Sequence, residues 1–123
     1  MKSARLFTTL GCIELFGSAL LHASGYMRIV HRIQSAAIPS PLDAILKASW
    51  LTMSVQFIAL AVIAFLSGDA VRGGRIVLLC AAFLALNVLV FLYFLGPFVG
   101  VYLISIATVL FLMGGWLQSR QPA

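Results

Sequence analysis

Residues 75–118 read RIVLLCAAFLALNVLVFLYFLGPFVGVYLISIATVLFLMGGWLQ and carry no charged side chain after Arg75. As one helix this stretch would be about 65 Å long, roughly twice the ~30 Å hydrocarbon core of a bilayer. Gly96-Pro97 interrupts it, and proline lacks the amide proton a helix needs while clashing with the preceding turn. The stretch therefore predicts two membrane spans, 75–95 and 98–118, joined by a hairpin and running antiparallel.

Two further apolar runs, 6–27 and 43–66, are long enough to cross as well. The whole chain of 123 residues is 63% hydrophobic and 9% charged, with a mean hydropathy of +1.12. A soluble domain of this size cannot bury so much apolar surface, so a bilayer is the expected solvent. The expected architecture is all-α: an integral membrane four-helix bundle, one domain over residues 1–123, with no repeat, low-complexity segment or linker.

The connections carry their own signals. After the first span, YMRIVHRIQSAAIPSPLD (26–43) sets Arg28, His31 and Arg32 opposite Ile29 and Ile33 on a continuing helical turn, the pattern of a segment at the membrane interface. Pro39 and Pro41 end that helix, and Ser40-Pro41-Leu42-Asp43 offers an N-cap, an N1 proline and an N3 acid for the next. SGDAVRGGR (67–75) supplies three glycines for a turn.

The net charge of +5 comes from Lys2, Arg5, Arg28, Arg32, Lys47, Arg72, Arg75 and Arg120 against Glu14, Asp43 and Asp69. All eight cations sit near the ends of apolar runs, where headgroups are, and no basic patch is interleaved with exposed aromatics. Nucleic acid is therefore not an expected partner; the lipid bilayer is. Four spans place both termini on one side with Lys2, Arg5, Arg72, Arg75 and Arg120, against Arg28, Arg32 and Lys47 on the other. The positive-inside rule then favours cytoplasmic termini in a bacterial inner membrane.

The basic opening followed by an apolar run has the outline of a signal peptide, but Glu14 interrupts its apolar region, so a retained first helix is expected. TLGC (9–12) falls short of a lipoprotein cleavage box. Cys12 and Cys80 lie inside spans without a Cys-x-x-Cys pair, which predicts packing thiols rather than metal ligands. No phosphate loop, nucleophile triad or metal motif is present, and no cofactor is required. A haem on His22 would need a second axial ligand from another chain.

Glu14 is the residue that asks for chemistry. Placing a charged side chain at the bilayer centre costs about 2.5 to 3.5 kcal/mol on insertion scales, and glutamine would serve for packing alone. Helical spacing gathers Gly11, Glu14, Ser18, His22 and Gly25 on one stripe of the first helix. Counted at about 1.5 Å per residue from the terminal side, Glu14, Gln56, Asn87 and Ser105 fall about 13 to 18 Å deep, near one plane. The expectation is a polar site in which Glu14 carries a proton or acts as general acid/base, with Ser18, His22, Gln56, Asn87, Tyr102 and Ser105 around the substrate. Trp50, Tyr26 and Trp116 near span ends predict an interfacial belt.

The first helix, CIELFGSALLHASG (12–25), resembles that of the small multidrug resistance transporters, with a glutamate followed by Gly17 in the first of four spans. That resemblance implies a homodimer in which Glu14 exchanges protons for a lipophilic cation, and Glu14 is the one residue it carries over. The surroundings of His22 and LKASWLTMSVQF (46–57) are similar to small four-span bacterial membrane proteins, for which the implication is a bundle. Three functions follow as expectations: a proton-coupled carrier of a lipophilic small molecule, a membrane-embedded isomerase-like acid/base enzyme, and an accessory subunit. The last would use Gly11, Gly17, Gly25, Gly114 and Gly115 for close helix contacts with a partner protein.

Overall fold

The computed structural model describes residues 2–69 and 72–120, with the Asp69 side chain left out. Five α-helices run Lys2–Ser24 (α1), Tyr26–Ser35 (α2), Ser40–Leu66 (α3), Gly73–Leu95 (α4) and Val99–Ser119 (α5), with a short 3-10 turn at Ser67–Asp69. Four rods, counting α1 and α2 as one, are long and apolar enough to span a membrane. The all-α four-helix bundle read from the sequence is the fold, and the chain has the character of an integral membrane protein.

The hairpin after α4 is formed as the sequence demanded. Gly96 takes φ 70° and ψ −172°, a conformation that side-chain-bearing residues avoid, and its amide caps Leu92 O at 3.2 Å. Phe98 is extended and α5 starts at Val99. The helix of the second span, α3, starts at Ser40, one residue before the expected first helical residue Pro41. Pro39, not Ser40, is the flanking residue, and its carbonyl accepts from Leu42 N at 3.0 Å and Asp43 N at 3.1 Å. Asp43 is paired with Lys47 one turn on, with N–O distances of 2.6 and 2.8 Å. The middle of the glycine-rich turn, residues 70 and 71, lies outside the described residues.

The helical turn expected to continue past the first span does so. Gly25 has helical angles, φ −74° and ψ −11°, and Ile29 N donates to its carbonyl at 3.1 Å, so α1 and α2 form one 34-residue rod. Its left-handed terminus falls on Ala37, φ 49°, where glycine would be easier.

Around the bundle the order is α3, α1, α5, α4: these neighbours pack along their lengths, and α3 meets α4 far less. The axis is filled by Leu15, Val77, Leu84 and Phe111, each without exposure, with Ala19, Ala61, Ala64, Ala81 and Ala107 between them. Alanine and glycine allow the backbones to close on one another where no water-driven collapse is available. A Cβ built on Gly115 would lie 2.9 Å from Gly74 O, and one on Gly11 2.5 Å from the Phe111 ring. One on Gly114 would overlap Thr8 Oγ1. Leucines, valines and phenylalanines cover the outside, as a lipid-facing perimeter should.

Candidate functional site

α1 decides where the polar stripe goes. Its packed face holds Ala4, Thr8, Gly11, Cys12, Leu15, Ser18 and Ala19, so the bundle axis receives Leu15, one position beyond the carboxylate. Glu14 lies on the flank of that face, half-buried. Ser18 Oγ donates to its Oε1 at 2.8 Å, from one turn along the same helix, while Oε2 is buried with no hydrogen-bond partner. A buried acceptor left in this condition costs about 1–3 kcal/mol, which is unusual for a group with only a packing task.

Eight residues on, His22 is partly buried. Its ring stacks on Trp50 of α3, with centroids 4.0 Å apart and planes 15° from parallel, and Trp50 Nε1 donates to His22 O at 2.8 Å. Trp50 also lies against Gly25, where a Cβ would approach its ring to 3.0 Å. This tryptophan is thus a clamp between α1 and α3 as well as a residue near a span end. His22 Nε2 is buried without a partner.

The remaining residues of the expected site make no hydrogen bond to Glu14 or His22. Gln56 is partly buried on α3 with Nε2 unpartnered. Asn87 Nδ2 donates to Phe83 O at 2.9 Å and Ser105 Oγ to Val101 O at 2.8 Å, each within its own helix. Tyr102 is 60% exposed on the lipid-facing side of α5. A common depth does not bring groups together when their helices turn them to different sides, and here Leu15, Leu84 and Phe111 occupy the centre.

Besides the Trp50–His22 bond, other side-chain bonds join elements. Cys12 Sγ donates to Ala61 O at 3.3 Å, and Cys12 and Cys80 are both buried and free, as packing thiols should be. Gln118 Nε2, near the end of α5, donates to Gly68 O at 2.9 Å and to Ser67 O at 3.4 Å, clasping the turn after α3. Sequence reasoning passed over Gln118. Its signal was position: an amide one turn beyond Gly115, whose built Cβ would lie against the α4 backbone at Gly74 and Leu78. Ser54, buried with its hydroxyl unpartnered, was also missed. Among the described residues no three His, Cys, Asp or Glu side chains group to hold a metal.

The glycines sort cleanly. Gly11, Gly114 and Gly115 are used in contacts within the chain, and Gly25 in its contact with Trp50; of those expected to serve a partner, only Gly17 faces open space with no atom within 4 Å of a built Cβ. It is exposed on α1, three residues from Glu14.

Comparison with protein-family models, curated proteins and solved structures finds no match to this chain.

Proposed function

We propose that this protein is a proton-coupled carrier of a lipophilic small molecule, working as a homodimer with Glu14 as the group that alternately holds a proton and the substrate. The observation that carries the reading is the half-satisfied carboxyl: Oε1 is held by Ser18 and Oε2 is buried without a donor. Such a carboxyl accepts a proton on its free oxygen while the Ser18 bond stays in place. The filled axis of one chain leaves a carrier to form its pathway between chains, and Gly17 beside Glu14 is the surface of α1 at which a second helix can approach closely.

The test is proteoliposome flux under an imposed pH gradient, with tetraphenylphosphonium as probe. Wild type is expected to drive uptake and Glu14→Gln to reduce it to the level of empty vesicles. Flux unchanged by Glu14→Gln refutes the assignment. Gly17→Cys should crosslink through a short bis-maleimide in native membranes, because Cys12 and Cys80 are buried; monomer alone counts against the dimer.

A second reading, an accessory subunit, draws on the far end of the bundle. Thr8 lies against Gly114 and Gly11 against Phe111. Continuing that antiparallel register puts Gly25 level with the Gly96-Pro97 turn. α2 and the first turns of α3 then extend about 15 Å past α4 and α5. Leu42, Ile45 and Leu46 are exposed on this projection, beside Arg28 and Arg32. Apolar residues exposed past the ends of α4 and α5 suit a protein partner; recovery of a stoichiometric partner in mild detergent, lost in Ile45→Glu, would favour this reading over the carrier. The acid/base enzyme gains no chamber from an axis filled by Leu15, Val77, Leu84 and Phe111.

A further inference from the structure

A groove of about 340 Å³ runs along the outer junction of α1 and α3. Thr9, Ile13 and Phe16 form one wall and Val62, Phe65 and Leu66 the other, and Glu14 takes no part in it. Its lining is almost wholly apolar, and it opens sideways to the bilayer.

The wall on α1 has a charged continuation. At 100° per residue, Lys2, Arg5, Thr9, Ile13 and Phe16 fall on one stripe about 80° wide. The face that lines the groove therefore leads toward the N-terminus into two exposed cations. Lys2 stands about 10 Å beyond Thr9, the step from hydrocarbon to headgroup. By sequence this end of the molecule holds Lys2, Arg5, Arg72, Arg75 and Arg120 against Asp69, five cations and one acid, a balance of +4. Arg5 already has an interaction within the chain, so the anchoring role falls to Lys2.

We infer that this groove seats one acyl chain of an anionic phospholipid, whose headgroup phosphate is held by Lys2 at the cationic end of α1. An apolar slot alone accepts any lipid; the cation in register with it selects the headgroup. The site is separate from Glu14 and stands whether or not the protein is a carrier.

The experiment is lipid retention. The full chain is reconstituted in nanodiscs of equimolar phosphatidylglycerol and phosphatidylcholine, released into detergent, and its bound lipid is identified by native mass spectrometry. Wild type should retain one phospholipid, with phosphatidylglycerol favoured about fivefold, the scale of one lysine near an anionic surface. Lys2→Gln should bring the ratio to about one. Val62→Trp should fill the groove and remove the bound lipid, whereas Leu79→Trp, on the lipid-facing side of α4, should not. Val62 and Leu79 are both exposed, so neither change needs to disturb the core. Equal retention of the two lipids by wild type overturns the proposal. So does a preference that survives Lys2→Gln, or a Val62→Trp protein with the lipid complement of Leu79→Trp.

Discussion

Substituting Gly115 by alanine should force α4 and α5 apart. A Cβ at that position would stand 2.9 Å from Gly74 O, 2.9 Å from Leu78 Cγ and 3.0 Å from Leu78 N, where ordinary contact begins at 3.4 Å. Two of these atoms belong to the α4 backbone and cannot rotate away, so about half an ångström must come from moving a whole helix. Overpacking of this kind costs about 1–3 kcal/mol, and the better helix propensity of alanine returns at most about 1 kcal/mol. The expected net loss is about 1–2 kcal/mol, a factor of roughly 5 to 30 in the folded-to-unfolded ratio. Unfolding by sodium dodecyl sulfate from mixed micelles, followed by tryptophan fluorescence, measures it. Gly17→Ala is the internal control in micelles dilute enough to keep the protein monomeric: with no atom of its own chain within 4 Å of the built Cβ, it should be neutral or stabilising. Gly74→Ala should resemble Gly115→Ala, and the double variant should cost less than the sum, because one separation relieves both clashes. Gly115→Ala unfolding at the same detergent fraction as Gly17→Ala, or later, would refute the backbone contact.

Other consequences are as direct. Gln118→Ala should cost about 1 kcal/mol in the same titration, because it removes the donor that clasps the Ser67 and Gly68 carbonyls. Ala37→Gly should stabilise by about 1 kcal/mol, since residue 37 sits at positive φ where a Cβ is a liability. Trp50→Phe should keep a ring against His22 but lose the bond to its carbonyl, lowering stability by about 1 kcal/mol, and Trp50→Ala should cost more. Cys12 and Cys80 should resist a maleimide in mild detergent and react after denaturation, as read by mass; prompt labelling of either would contradict its burial.

The number of spans and their limits were legible because hydrocarbon thickness, proline and glycine act locally. A 44-residue apolar run with Gly-Pro inside it has one reasonable reading, and α4 and α5 follow it. The site was less legible because it depends on rotation about each helix axis. Counting residues gives depth, but packing decides that Leu15 faces the axis and Tyr102 the lipid. The same limit hid the interhelical bonds: Trp50, Cys12 and Gln118 each join to a backbone carbonyl, which no pattern of side chains announces. The continuation of the first helix past Gly25 was legible for the same local reason: the amphipathic pattern of residues 26–35 carries no breaker before Pro39, and Gly25 adopts ordinary helical angles as the rod continues beside α3.

In the proposed carrier one carboxyl, Glu14, exchanges a proton for the lipophilic substrate, for which tetraphenylphosphonium is the probe. Infrared difference spectroscopy of the reconstituted protein, before and after adding tetraphenylphosphonium at fixed pH, addresses this exchange most directly. The expected result is loss of a protonated-carboxyl band with gain of a carboxylate band, reversed on removing the cation and absent in Glu14→Gln. A wild-type spectrum in which no carboxyl band responds to the cation, or a response that persists in Glu14→Gln, would contradict it.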